Sequence, residues 1–373
     1  MNTFADASLL PSLKESLAAQ GLTRPTEIQA RTLPPQLDGL GVVGVAETGS
    51  GKTLAYVLPM LHRLKLLEEG GSAVAQPGRP RGLVVVPSRE LGEQVSKVFK
   101  SLTHLTRLRV RCVLGGTRKR QARQNIAGLL EVLVATPGRV KQLLDSGELR
   151  LDDVRTLVFD EADQMLDPGF LPSARRILEG CSPAVQLVLF SATLPPSLAQ
   201  VIDALYTKAP VRIQTAGSER LVPTLQTLDV QVVHGRRQEP LLALLAEPGV
   251  RGTLLFANTR AQCKRIGAWL DEAGLLWVAT MGEQDAKLRR RNLARFRAGE
   301  VPILLATDLA GRGLDIDRVD RVINVHLPQQ IDNYLHRVGR TARAGRTGQV
   351  VNLVTPRDAA LMARVARLSA RSG

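Results

Sequence analysis

The apolar run "VVGV" at residues 42–45 passes directly into "AETGSGKT" at 46–53 and then into "LAYVLPML", an amphipathic segment of helical length. A strand, a glycine-rich turn and a helix in that order constrain this chain more than any other feature it has. The spacing of Gly49, Ser50, Gly51, Lys52 and Thr53 permits a tight turn whose backbone N–H groups converge on one point, and the following helix adds its positive end. Such a site favours a di- or triphosphate. Lys52 is placed to reach the outer phosphates, and the Thr53 hydroxyl to ligate a bridging magnesium ion. The plainer alternative is a glycine-rich turn without a ligand, against which Lys-Thr stands where the chemistry requires it. Ala46 occupies the usual place of the loop's first glycine, so the general phosphate-loop pattern is incompletely met.

The same kind of apolar run recurs, each ending in a polar cluster: "GLVVV" before Pro87-Ser88-Arg89-Glu90, "VLVA" before Thr136-Pro137-Gly138-Arg139, "TLVF" before Asp160-Glu161-Ala162-Asp163, and "LVLF" before Ser191-Ala192-Thr193. Separated by helix-length segments, these runs predict buried parallel strands of an α/β fold, whose ligands gather at the strand carboxyl ends. After "VRIQ", the polar stretch at 215–223 interrupts the pattern, which resumes in "TLLFA", "ILLAT", "RVINV" and "VVNLV". A domain boundary is expected there, and 373 residues suit two separate cores. "EEGGSAVAQPGRPRG" at 68–82 reads as a mobile surface loop.

Fifty Lys plus Arg against 35 Asp plus Glu give a net charge of +15, which suits a polyanionic partner such as nucleic acid without naming one. Cys112, Cys181 and Cys263 lack metal-ligand spacing and read as buried thiols of a reducing compartment. Without a membrane-length apolar stretch or a signal-like N-terminus, the chain is expected in the cytoplasm.

Asp160 and Glu161 at a strand end suit a magnesium-holding acid and a water-orienting or deprotonating base; in isolation such a pair is more often a pair of solvated loop acids. With the phosphate loop in the same sheet, "DEAD" at 160–163 resembles the signature of the DEAD-box ATP-dependent RNA helicases, and the likeness runs from Phe4 to Gly345. That family's phosphate loop begins with Ala, which accounts for Ala46.

The resemblance implies two tandem RecA-like domains, each a mainly parallel sheet flanked by helices: 1–214 with the ATP site, a linker at 215–223, and 224–373. It implies nucleotide contacts from Phe4, Leu22, Gln29, Ala46, Thr48, Gly49, Ser50, Gly51, Lys52, Thr53 and Asp315. Gln29 would read adenine, since an amide donates to N7 and accepts from N6. Leu22 stands where an aromatic usually stacks. RNA contacts are implied for Pro87, Arg89, Gly115, Gly116, Thr136, Pro137, Gly138, Arg139, Thr259, Arg289, Thr307 and Asp308. Asp163, Ser191, Thr193 and His336 would link hydrolysis to strand separation, and Arg340 and Arg343 would reach the triphosphate, from one helical face if the helix continues that far. Met281 and Ala286 depart from the usual His and Gln in "MGEQDAKLR", and Ala342 replaces a frequent glycine.

The implied activity is ATP hydrolysis with Mg2+, stimulated by single-stranded RNA and coupled to unwinding or remodelling of duplexes by a monomer. RNA would be held through phosphates and 2′-hydroxyls without sequence preference. An ATP-gated RNA clamp or assembly factor, or a DNA-directed helicase, are the alternatives.

Overall fold

Strands buried on both faces need a sheet covered by helices on each side, and the apolar runs fold that way. The computed structural model describes residues 1–47, 49–166, 170–215, 225–247, 250–281, 284–308, 318–341 and 347–370. The chain divides into two units, Met1–Ser218 and Glu219–Gly373.

The first unit contains β1 (Val42–Val45), β2 (Gly82–Val85), β3 (Val110–Val113), β4 (Val132–Ala135), β5 (Thr156–Asp160), β6 (Gln186–Ser191) and β7 (Val211–Gln214). Their order is β3-β4-β2-β5-β6-β1-β7, with every pairing among the described residues parallel. Alternate residues feed opposite faces: Val42, Val84, Val134, Val158 and Val188 join one core, while Val43, Leu83, Leu133, Leu157 and Leu189 join the other.

The second unit repeats the plan with β8 (Leu225–Gln231), β9 (Thr253–Ala257), β10 (Trp277–Thr280), β11 (Ile303–Thr307), β12 (Arg321–Asn324) and β13 (Gly348–Val354). The order is β10-β11-β9-β12-β13-β8, again parallel throughout the described pairings. Leu254, Phe256, Leu304 and Val322 pack on one face and Leu255, Ala257, Leu305 and Ile323 on the other.

Strand order sorts the motifs. The phosphate loop, the DEAD sequence and Ser191-Ala192-Thr193 follow β1, β5 and β6, three neighbours in the sheet. The clusters at Pro87–Arg89, Gly115-Gly116 and Thr136–Arg139 follow β2, β3 and β4, the other three neighbours. One edge of one sheet is thus partitioned into two adjoining sites.

The stretch expected to be a mobile loop is instead pinned. Its first residues complete the helix Lys52–Glu69, and Val74 is buried. Arg79 pairs with Asp152 and Arg81 with Asp153, while Gly78 accepts from the Arg150 backbone N–H at 2.9 Å and donates to the Ile126 carbonyl at 3.2 Å. Its arginines and glycine suggested solvent, but acids that follow the helix Pro137–Asp145 anchor it.

Candidate active site

Gly49 and Gly51 sit at φ +87° and +88°, the left-handed region that glycine enters at little cost, and Gly51 caps the helix Lys52–Glu69. A Cβ at Gly51 would also collide with the Gln29 side-chain nitrogen. Gln29 lies in the helix Glu27–Leu37, only 4 % exposed; its Nε2 donates to the Gly51 carbonyl at 2.9 Å, and its Oε1 accepts from the Thr26 N–H at 2.9 Å. The amide thereby fixes the loop and still keeps one N–H and one lone pair for a base edge. Lys52 Nζ donates to the Ala46 and Glu47 carbonyls, and Ser50 Oγ to Glu47 at 2.7 Å, so the loop is held in its curved form by its own groups.

Leu22 is 36 % exposed and open to packing on a base. Phe4 is not: at 3 % exposure it belongs to the core, and its N–H donates to the Thr23 carbonyl at 3.0 Å. Its expected nucleotide contact gives way to anchoring the segment that carries Leu22. Thr48 lies outside the described residues.

Asp160 and Glu161 are 3 % and 8 % exposed. Asp160 Oδ1 accepts from the Glu161 N–H at 2.9 Å, and Oδ2 from the Tyr56 hydroxyl at 2.8 Å. Burial, then the neighbouring Glu161 charge, push the Asp160 carboxyl up from 3.8 to about 6. Burial and the Asp160 charge push the Tyr56 phenol well above its ordinary value, so it remains a donor. Glu161 accepts from Gln164 Nε2.

Two adjacent buried acids need a positive partner to ionise together, and the hydroxyl and carboxylate of Thr53 and Asp160 are hard oxygen donors that suit magnesium, which takes its remaining ligands from phosphate and water. Asp163 and the β6 end are tied together: Ser191 Oγ accepts from the Asp163 N–H at 3.3 Å, and Thr193 Oγ1 donates to Asp163 Oδ2 at 3.4 Å. Ser191 also accepts, through its carbonyl, from the Ala46 N–H at 3.1 Å, which stitches the ends of β1, β5 and β6 into one surface.

On the neighbouring half of the edge, Arg89 donates to the Gly115 carbonyl at 3.1 Å and to Glu93 at 2.8 Å. Arg139 donates to the Thr117 carbonyl and to Gln142. Both guanidiniums, expected to face phosphates, also knit the Gly115-Gly116 loop to the helices Arg89–Thr106 and Pro137–Asp145. Those helices begin at Ser88, whose Oγ accepts from the Leu91 N–H at 3.2 Å, and at Thr136-Pro137. Pro87 and Gly115 are half-buried, and Gly116 and Gly138 exposed.

In the second unit, Thr259 caps the helix Arg260–Glu272, accepting from the Gln262 N–H at 3.1 Å, and is exposed. Thr307 ends β11 and is buried. Arg289 is half-buried on the helix Ala286–Ala298.

Asp308, expected on RNA, accepts from Arg337 with both oxygens, with Nη2 to Oδ2 at 2.8 Å, and stays partly exposed. Arg337 also donates to Asn324 (3.2 Å), the His326 carbonyl (2.6 Å) and Asn258 (2.7 Å), and lies 5.1 Å from the centre of the Phe256 ring. This arginine gathers the ends of β9, β11 and β12, which makes Asp308 part of the scaffold. His336 is 4 % exposed, and Arg340, 3 % exposed, donates to its carbonyl at 3.1 Å.

The helix stops at Val338, short of Arg340, so the continuation that a helical face at Arg340 requires is not present. Gly339 ends the helix, and Thr341 Oγ1 draws the chain towards β12 by donating to the Val319 and Asp320 carbonyls at 2.8 and 3.0 Å. Asp315 and Arg343 lie outside the described residues, as do Gly282 and Ala342.

Tyr56, Gln164 and Arg337 were not singled out from the sequence. Their signals were helical spacing alone: three residues after Thr53, three after Glu161 and three before Arg340.

A phosphate loop, an acid pair and a hydroxyl-bearing strand end on three neighbouring parallel strands, with a second sheet of the same plan following, define a tandem RecA-like ATPase. Residues 26–201 match the DEAD/DEAH box helicase family, and 237–345 the helicase conserved C-terminal domain. The chain is 36% identical over 370 residues to the ATP-dependent RNA helicase DBP2 of Saccharomyces cerevisiae (strain ATCC 204508 / S288c), covering 98% of this chain and 67% of that protein. It is 36% identical over 368 residues to the ATP-dependent RNA helicase SrmB of Escherichia coli K12, covering 98% and 82%. The structure of S. cerevisiae Dbp5 bound to RNA and ADP BeF3 superposes with a TM-score of 0.87 at 25% identity, over 99% of this chain and 93% of that one. This chain belongs to the DEAD-box ATP-dependent RNA helicases.

Proposed function

We propose that the chain hydrolyses ATP with Mg2+ when single-stranded RNA is held by both units, and uses the cycle to unwind or remodel RNA locally. The observation that carries this reading is the stitching of the phosphate loop, the acid pair and Ser191 at three adjacent strand ends, beside the RNA-type motifs of β2, β3 and β4.

In this mechanism the backbone amides of the loop and Lys52 bind the phosphates, and Gln29 selects adenine through its remaining N–H and lone pair. Thr53 and Asp160 would hold magnesium, which neutralises phosphate charge when bound. Glu161 orients a water and takes its proton, and Arg340 and Arg343 from the second unit neutralise charge developing on the transferred phosphoryl group. RNA is gripped by its backbone at Pro87–Arg89, Gly115-Gly116, Thr136–Arg139, Thr259, Arg289 and Thr307. The surplus of positive charge supports sequence-independent binding. Operation as a cytoplasmic monomer belongs to the same reading; the three free cysteines support the reducing compartment in it.

Glu161→Gln tests the assignment, because the amide keeps the shape and loses the base. ATP and RNA binding should persist while turnover falls by at least about 10²-fold, the usual contribution of a general base. An unchanged steady-state rate would remove Glu161 from the chemistry.

A further inference from the structure

We propose that Tyr56 is a positioning residue for hydrolysis, holding the Asp160 carboxylate in register with the phosphate loop. The inference rests on the ATPase reading above. Tyr56 sits one turn beyond Lys52 and Thr53 in the helix that the loop opens, and it is 1 % exposed. Its hydroxyl donates to Asp160 Oδ2 at 2.8 Å, while Oδ1 takes the Glu161 N–H at 2.9 Å. Two donors from two different elements therefore fix the plane of one carboxylate.

The phenol itself has little freedom. Its ring lies 5.6 Å from that of Phe190 on β6, tilted by 49°, so the strand next to β5 sets the position of the hydroxyl. The connection runs from the helix after β1, through a ring braced on β6, to the acid ending β5. An ionised carboxylate offers about four lone-pair sites, two per oxygen, so the phenol and the amide leave one on each oxygen for a cation or its water. Tyr56 thus orients Asp160 without displacing what Asp160 would hold. Any shift of the loop helix when phosphate enters is passed to the carboxylate through this bond.

Removing the hydroxyl while keeping the ring deletes the bond to Asp160, together with a smaller hydrogen-bond contribution from Thr53. The experiment uses the full chain with Tyr56→Phe, which retains the Phe190 contact, and follows Mn2+ binding to the ADP-loaded protein by electron paramagnetic resonance. The affinity for ADP alone is measured in parallel in EDTA with a fluorescent ADP. Loss of a partner that orients a metal ligand typically weakens metal binding by about 10- to 100-fold, and a fall of that order is expected in Mn2+ affinity, with metal-free ADP affinity unchanged. The Mg2+ concentration for half-maximal hydrolysis should rise in step.

Unchanged Mn2+ affinity in Tyr56→Phe would overturn the proposal. So would an equal loss of metal-free ADP binding, because the hydroxyl would then be supporting the loop fold and not the acid. Mn2+ binding is read without turnover, so its outcome stands apart from whether Glu161→Gln stops hydrolysis.

Discussion

Glu161 adopts φ 53° and ψ 53°, in the left-handed region that a residue with a Cβ enters at a cost of about 1–3 kcal/mol. The cost is offset by the bond from its own N–H to Asp160 and by Gln164 on its carboxylate, so the side chain is aimed before substrate arrives. His326 shows the same principle without catalysis. Burial, then Arg237, Arg265 and Arg337, hold its imidazole down from 6.5 to about 4, against a smaller opposing effect of Asp358. The folded state therefore favours the neutral ring. The stabilisation this gives is complete above about pH 6.5 and is lost as pH falls from there towards 4. His326→Gln should show a smaller drop in melting temperature between pH 7.5 and pH 5 than the parent chain; equal drops would mean that folding does not lower the affinity of the ring for a proton.

The helix Ile331–Val338 depends on one of its own residues for its place on the sheet. Arg337 is 1 % exposed and holds Asp308, Asn258, Asn324 and the His326 carbonyl at once. Arg337→Met preserves much of the volume but leaves the partly exposed Asp308 carboxylate without its partner, and leaving such a group unsatisfied costs about 1–3 kcal/mol. Denaturant unfolding of the full chain should show that loss in the transition of the second unit, and an unaltered midpoint would contradict the scaffold role given to Arg337.

Elements also separate what was legible in the sequence from what was not. Every strand read from an apolar run is present, because "VLVA" or "TLLFA" buries nearly every residue and leaves no ambiguity of face. The three strands not named in advance, β3, β8 and β10, all lie at sheet edges. An edge strand is covered on fewer sides, so Arg111 in β3 and Gln226 and Asp229 in β8 remain partly or wholly exposed, and the apolar signal is diluted. The helix end at Gly339 was illegible for another reason: the Thr341 bonds that stop it reach residues twenty or more positions away.

For the whole molecule, the motif order along the chain says little until the sheets arrange it. Strand order in the first unit places the ATP-type motifs on β1, β5 and β6 and the RNA-type motifs on β2, β3 and β4, with β2 beside β5 at the seam. Quoted residues identified the site at that edge, whereas the Tyr56 clamp on Asp160 emerged only when segments 104 positions apart met. The adjacency gives a physical reason for RNA to influence hydrolysis. The most direct measurement is ATP hydrolysis by the full chain, titrated with single-stranded RNA and with DNA of the same sequence and length. Contacts to 2′-hydroxyls distinguish the two polymers, so RNA should raise the rate to a plateau and DNA should raise it little. Equal stimulation by both, or a rate indifferent to RNA, would contradict the account.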